Sequence, residues 1–284
     1  MIKVVEPYEF KKLISIKPAG VGSSEVEDLF CFLARLANAQ GYRLGKFLTT
    51  EFNQIFRNVS QFRGRSGALL GVGSSPKDLL VAVDKTTGTK LPDILTMVPW
   101  TGVFPNKYLI RSKRAWCSLC YQSDKNQGHL VYDRLMWSLQ AVECCLIHSM
   151  PLEGRCPFCG KGSGIYDERY SPGICSHCNR WLVKRKVEKT VVEPEKMLRT
   201  RYIAELLSLP GSPDFYVPNV SKVLTSFLNE VYSGNIAALS RETGVPKTTA
   251  WGWIRGMNLP PLPSLLDVCC KSGVTLKELL YEHL

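Results

Sequence analysis

Cysteine pairs in the middle of the chain are the residues whose types and spacing could do chemistry. The stretch from Cys117 to Cys178 holds eight of the eleven cysteines and three of the four histidines. A C-x2-C turn places two thiolates on one side of a tight loop, which is half of a tetrahedral zinc shell. The stretch contains four such half-sites: Cys117-Ser-Leu-Cys120, Cys145-Leu-Ile-His148, Cys156-Pro-Phe-Cys159 and Cys175-Ser-His-Cys178.

Pairing the half-sites in chain order predicts two zinc sites. Four protein ligands in each site leave no position open for water, so both ions are predicted to be structural rather than catalytic. A disulfide framework is disfavoured because the chain is long enough to bury a core and begins without an apolar signal segment. The predicted ligands are Cys117, Cys120, Cys145 and His148 for the first site, and Cys156, Cys159, Cys175 and Cys178 for the second.

Two of the ligand assignments have alternatives. Cys144 directly precedes Cys145 and could take its place, although Cys145 gives the C-x2-H spacing and is preferred. His177 lies inside the last C-x2-C motif, where it could replace a thiolate, but the more conservative interpretation is that it does not bind metal. Spacing alone leaves both alternatives open.

The composition is that of an ordinary soluble protein, with 45% hydrophobic and 21% charged residues. Its 284 residues suffice for two or three domains of about 100–150 residues. No apolar run approaches the ~20 residues that a membrane helix needs. Seven ligand thiolates would subtract seven charges from the net +11 and two Zn²⁺ would return four, leaving +8, which favours nucleic acid as a partner. Free thiols with metal-type spacing indicate a reducing compartment, the cytoplasm.

The elements that precede the cysteine pairs are predicted to be helices. Ser24 is the predicted N-cap of the first helix, with Glu27 three residues on and an apolar face over residues 29–37. Further helices are predicted over residues 44–57 and from Pro76 to Gly88. These short helices predict a compact all-α unit of helix-turn-helix type.

The last third of the chain carries a helix-turn-helix pattern. A short helix over residues 236–243, a turn at 244–246 and a second helix over 247–255 have the required spacing. Gly244 is free to take the left-handed conformation of the turn. Supporting helices are predicted over residues 195–209, 220–232, 263–270 and 275–280. The residues that the second helix would offer to a DNA groove are Lys247, Thr248, Trp251 and Arg255.

A protein-docking role is the alternative for this helix, since helix-turn-helix folds also serve as docking surfaces. Gly252 weakens the helix by about 1 kcal/mol relative to alanine. Only Lys247 and Arg255 bring positive charge to its exposed face. DNA contact is preferred over docking, and both interpretations stay open.

The order of these motifs resembles the TniQ/TnsD family of target-selection proteins of bacterial transposons. The similarity covers residues 20–182, and its cysteine order is the specific part. It includes the apolar helix Leu29–Ala37, which is less specific. The motifs that carry it are Trp116-Cys117-x2-Cys120, Trp137, Cys145-x2-His148, Pro151-Leu152, Cys156-Pro157-x-Cys159-Gly160 and Cys175-x2-Cys178. One departure from the family pattern is Cys144 beside Cys145.

The resemblance implies a non-enzymatic adaptor. Such proteins recruit the AAA+ regulator TnsC, and through it the transposase, to chosen DNA. Some members bind a fixed attachment sequence themselves, and others dock on a CRISPR effector complex. The resemblance is compatible with a homodimer. The presence of only one clear helix-turn-helix favours an adaptor with supplementary DNA contacts, because reading a long unique site usually takes more than one base-reading module.

The sequence therefore predicts a mainly α protein in three parts. These are an N-terminal helical, helix-turn-helix-like domain (residues 1–108), a central tandem zinc-finger or zinc-ribbon module (109–186) and a C-terminal helix-turn-helix bundle (187–284). A transcription regulator is an alternative that explains the zinc pair poorly. A zinc hydrolase would need an open ligand position beside a carboxylate base, and neither predicted site has one.

Overall fold

The computed structural model describes residues 15–52, 66–88, 90–183 and 190–282. Over these residues the chain is mainly helical, as predicted. The end of the predicted helix 44–57 and the predicted boundary at the basic run 184–189 lie outside the described residues. Within the described part of the chain, no helix is both long and apolar enough to cross a membrane.

The N-terminal part is built on three helices, α1 (Leu29–Ala39), α2 (Leu44–Glu51) and α3 (Ser74–Thr87). Short 3-10 turns connect α3 to the rest at residues 93–95 and 98–100. Leu29, Leu33 and Leu36 of α1 are fully buried, since the apolar residues recur at helical spacing. The buried residues of these helices form one side of the core, and the cysteine-rich region packs against them.

The predicted start of α1 at Ser24 is wrong. The N-cap is Asp28, whose Oδ1 accepts a hydrogen bond from the Cys31 N–H at 2.8 Å. Residues 20–26 form a turn instead, in which the Ser23 hydroxyl donates to the Gly20 carbonyl at 2.8 Å. Glu27 does not complete a capping box, because its carboxylate is buried and paired with Arg35 at 2.7 Å.

The central part consists of short elements joined by turns. They are α4 (Ser118–Asn126), α5 (Leu135–Ser138) and the antiparallel strands β1 (Cys144–Cys145) and β2 (Met150–Pro151). Although these elements are short, Tyr121 of α4 and Leu135, Met136 and Trp137 of α5 are buried in the core. The two half-sites of the first predicted zinc site lie on α4 and around β1.

The C-terminal part is a helical bundle that closely follows the predicted pattern. Its helices are α6 (Pro194–Ser208), α7 (Val220–Tyr232), α8 (Ile236–Thr243), α9 (Lys247–Ile254), α10 (Leu262–Ser272) and α11 (Leu276–Tyr281). Gly244 ends α8 at φ 75°, a left-handed conformation that glycine adopts at no steric cost. Ala250 and Trp253 of α9 are buried. The two predicted helices and the left-handed turn between them are therefore present.

A buried ionic cluster holds the N-terminal and central parts together. The Arg114 guanidinium bonds to the Asp133 carboxylate and lies 3.7 Å from Asp28. The Tyr121 hydroxyl donates to the same Asp133 carboxylate. All four side chains are buried, and burial raises the pKa of Asp28 to about 6. A buried charge needs its partner, so this cluster fixes α1 relative to α4.

Candidate metal centres and helix-turn-helix surface

The first cluster comprises Cys117, Cys120, Cys145 and His148, which the fold brings together from three elements. Cys117 is the N-cap of α4 and Cys120 lies in its first turn. Cys145 is on β1, and the turn between β1 and β2 carries His148. The His148 Nδ1 atom lies 3.6 Å from Cys117 Sγ, 3.3 Å from Cys120 Sγ and 3.7 Å from Cys145 Sγ. Cys120 and Cys145 have their sulfurs 3.5 Å apart.

The structure places Cys145 in the first cluster and turns Cys144 away from it. Successive side chains of a strand point to opposite faces, so only one of the two neighbours can face the other ligands. Cys144 Sγ instead contacts α6, at 3.2 Å from Thr200 Oγ1 and 3.4 Å from Met197 Sδ. The back of the first cluster is therefore a contact with the C-terminal helices.

The second cluster comprises Cys156, Cys159, Cys175 and Cys178, and it is built from two equivalent turns. In each turn the first cysteine N–H bonds to a carbonyl beyond the turn at 2.9 Å, that of Lys161 for Cys156 and that of Arg180 for Cys175. The residue after the second cysteine is left-handed in both cases, Gly160 at φ 69° and Asn179 at φ 58°. Opposed sulfurs lie 3.6 Å apart for the Cys156–Cys178 pair and 3.7 Å for Cys159–Cys175.

Backbone N–H groups point at the sulfurs of the second cluster. The Phe158 N–H donates to Cys156 Sγ at 3.5 Å, and the His177 N–H donates to Cys175 Sγ at 3.4 Å. Such bonds stabilise a thiolate more than a thiol. The His177 ring itself lies outside the cluster, with Nε2 3.3 Å from the Gly162 carbonyl oxygen.

Both clusters fit a tetrahedral metal ion. In each, the four ligand atoms all lie within 4.8 Å of one another. Metal–sulfur bonds of about 2.3 Å in a tetrahedron place the sulfurs about 3.8 Å apart, close to the separations of 3.5–3.7 Å found here. Three thiolates with an imidazole, or four thiolates, are donor sets typical of structural zinc.

The thiols of each cluster differ in pKa. Hydrogen bonds from the Cys120 and Cys145 thiols lower the pKa of Cys117 to about 3, and bonding to the same neighbours raises the pKa of Cys120. In the second cluster burial raises the pKa of Cys156 to about 12. At Cys175 burial opposes ionisation, but backbone N–H donors bring the pKa to about 7. One thiolate in each cluster is favoured over the others, and a central cation would ionise the remainder.

The four residues predicted to meet DNA lie together on the exposed side of α9. Lys247, Thr248 and Arg255 are exposed, and Trp251 is 44% exposed. The Arg255 guanidinium lies over the Trp251 ring, 4.0 Å from its centroid. A groove of about 440 Å³ runs beside them. Its lining includes Ile236 and Met257, so this surface is more apolar than the sequence pattern indicated.

Sequence reasoning missed a polar cleft beside the second cluster. Arg43 and Arg169, far apart in the chain, both line it together with His177. No local motif joins these residues, because the contact depends on how α2 packs against the loop before Tyr170. The excess of positive charge in the sequence was the only sign of such a surface.

The comparisons with known proteins agree with this arrangement of sites. A search of curated proteins gave no match. The TniQ family model matches residues 18–152. This range contains α1 to α3, the buried ionic cluster and the whole first cluster, and it ends before the second. The predicted resemblance is confirmed over this range: residues 18–152 match the TniQ family, a family of transposition-associated DNA-binding adaptors.

Proposed function

We propose that this protein is a target-selection adaptor for transposition that carries two structural zinc ions. It links a complex that recognises target DNA, in the favoured case a CRISPR effector, to the AAA+ regulator TnsC and so to the transposase. The observation that carries the proposal is the TniQ match over residues 18–152. Closed Cys/His clusters, with four ligands each, support a scaffold rather than a catalyst.

Zinc in the first cluster would fix the position of the N-terminal part relative to the C-terminal helical bundle. Its ligands would be Cys117 and Cys120 from α4, with Cys145 and His148 from the β1–β2 hairpin. The ion supplies a rigid cross-link when bound. The chain's own residues do the rest, because Cys144 on the back of β1 packs against α6. The division at residues 1–108, 109–186 and 187–284 remains part of this proposal.

Zinc in the second cluster would stiffen the loop region between residues 153 and 183. Cys156, Cys159, Cys175 and Cys178 would bind it. No helix or strand of four or more residues lies in this region, so the metal would fix turns that no regular hydrogen-bonded element holds. The surface of this region would then keep a fixed shape for partners.

Recruitment tests the adaptor proposal directly. The full-length protein, loaded with zinc and tagged, is mixed with purified TnsC in the presence and absence of the targeting complex. We expect TnsC to be captured, and the targeting complex to be captured through the same bait. A transposition assay in cells lacking this gene should give no insertions at the programmed target. Normal targeted insertion without the protein, or no capture of either partner, would contradict the proposal.

Direct binding of an attachment site is the second candidate function. The exposed Lys247, Thr248, Trp251 and Arg255 on α9 favour it. A gel shift of the isolated protein against the element-adjacent site and against random DNA separates the two. A strong preference for one sequence that Arg255→Ala abolishes would favour direct reading, since base contacts are worth about 1–3 kcal/mol each. Equal binding to both sequences favours the adaptor.

A further inference from the structure

A polar cleft of about 410 Å³ separates the start of α2 from the second cluster. Its lining side chains are Asn38, Arg43, Arg169, Tyr170, Ser171, Cys175, Ser176, His177 and Asn179, most of them polar. The cleft is distinct from the α9 surface, with which it shares no lining residue. Its walls come from α1 and α2 on one side and from the second cluster and its preceding loop on the other.

The residues that line the cleft carry a net positive charge. Arg43 and Arg169 are both exposed, and neither guanidinium forms an ion pair or hydrogen bond with any residue in the described part of the chain. Among the described residues that line the cleft there is no aspartate or glutamate. Exposed Arg155, Lys161 and Arg180 on the turns of the second cluster extend the positive surface.

The two walls are held at a fixed distance. The Gly45 N–H of α2 donates to the Glu168 carbonyl at 2.9 Å, next to Arg169. A Cβ atom at residue 45 would lie 2.6 Å from Glu168 Cβ, so only glycine permits this approach. The Asn38 amide also reaches Ser171 Oγ at 3.5 Å. The arginines are therefore presented on a preformed frame, which lowers the entropy cost of binding.

The side-chain chemistry of the cleft fits phosphate. Guanidinium forks, amides and a hydroxyl match the oxygens of a phosphodiester. Protein interfaces bury an apolar centre, and the cleft lining contributes polar side chains instead. We propose that this cleft binds the backbone phosphates of duplex DNA, giving the protein a second, sequence-independent DNA contact. The inference rests on the proposed role at target DNA and adds a surface that the α9 contacts do not include.

The test uses the full-length, zinc-loaded protein with Arg43→Ala and Arg169→Ala combined. Affinity for a fluorescently labelled duplex is measured by anisotropy over a range of salt concentrations, for two unrelated sequences. Losing two phosphate contacts should make the slope of log K against log salt shallower by about 1.8. Affinity at physiological salt should fall on the order of tenfold, equally for both sequences.

Arg201→Ala is the matched control. Arg201 is an exposed arginine of α6 that does not line the cleft, so its loss should leave the slope within about 0.5 of the native value. Zinc content and melting temperature of each variant show that the fold is intact. Gly45→Ala gives a second test, since it leaves both arginines present but forces the walls apart. It should weaken duplex binding without removing any charge.

Three results would overturn the proposal: duplex binding by the double variant with native affinity and slope, no duplex binding by the native protein, or a loss confined to single-stranded RNA of the same sequence. Capture of TnsC is scored with the same samples. Unchanged capture with weakened DNA binding supports the cleft and leaves the adaptor function intact. Failure of the native protein to capture TnsC would instead count against the adaptor function alone.

Discussion

The two clusters have similar ligand geometry and very different surroundings. The first draws its ligands from a helix, a strand and a hairpin turn, and its cysteines are all at least 97% buried. The second draws its ligands from two equivalent turns, with Cys159 and Cys178 partly exposed. The first lies inside the residues 18–152 that match the TniQ family, and the second lies beyond them. The difference indicates that the first cluster stabilises the whole fold and that the second supports only its own surface loops.

The largest effect is expected from Cys145→Ser. Structural zinc contributes on the order of 10 kcal/mol to small modules, and the first cluster also supports the contact between β1 and α6. We expect loss of one zinc ion per chain. We also expect loss of cooperative melting in both the N-terminal part and the C-terminal helical bundle. Metal analysis and circular dichroism measure these changes.

Cys144→Ser is the matched control for that variant. It changes the neighbouring thiol on the other face of β1, where the new hydroxyl can still bond to Thr200. Zinc content should be native and the free energy of unfolding should fall by only about 1 kcal/mol. Equal zinc loss in the two variants would refute the assignment of Cys145 as the ligand.

Cys156→Ser should have a smaller and more local effect. It should remove the second zinc ion and unfold residues 153–183, while α7 to α11 keep their protection against hydrogen exchange. Peptide-resolved hydrogen exchange measures the extent. Unfolding of the helix-turn-helix bundle in this variant would show that both clusters stabilise the whole fold. It would contradict a purely local role for the second cluster.

Asp133→Asn tests whether the two clusters are independent. Arg114 Nε donates to the Ile165 carbonyl between the second cluster's two turns, and its guanidinium lies over the Tyr170 ring. Removing the Asp133 charge takes from the buried Arg114 its closest carboxylate and leaves Asp28 at 3.7 Å, beyond hydrogen-bond distance, at a cost of about 3 kcal/mol. We expect hydrogen exchange to accelerate around both clusters together.

Asp124→Asn is the comparison for Asp133→Asn. Asp124 pairs with Arg134, which also keeps Glu25 at 3.1 Å, so a carboxylate at hydrogen-bond distance remains after the change. The expected loss is about 1.5 kcal/mol, the contribution of one hydrogen bond to a charged group. If the two variants destabilise the protein equally, the buried ionic cluster has no special role in coupling the metal sites.

Local patterns made the helices and the half-sites predictable. A C-x2-C turn is complete within a few residues, so its spacing predicts that the two sulfurs are neighbours. The helix-turn-helix needs only apolar periodicity and the turn at Gly244. The start of α1 was mispredicted because Ser24 and Asp28 both fit an N-cap. In the structure, the Asp28 carboxylate accepts the Cys31 N–H, and Glu27, three residues after Ser24, pairs with Arg35 instead of closing a capping box.

Pairings between distant residues were not predictable. Spacing could not decide between Cys144 and Cys145, because the answer depends on which face of β1 meets α6. Arg114 and Asp133 were not recognised as a pair, since nothing in either local sequence marks a buried charge. The same holds for the cleft residues Arg43 and Arg169, which only the packing of α2 brings together.

The two adjacent thiols of β1 make the first cluster sensitive to the register of this strand. A strand that slips by one residue exchanges its two faces, so a slip at β1 would offer Cys144 to the metal and press Cys145 against α6. The metal would then be bound by the sulfur of Cys144 instead of that of Cys145, and α6 would lose its contact with the Cys144 side chain. The first cluster and the contact of Cys144 with α6 are therefore satisfied together in the register found here.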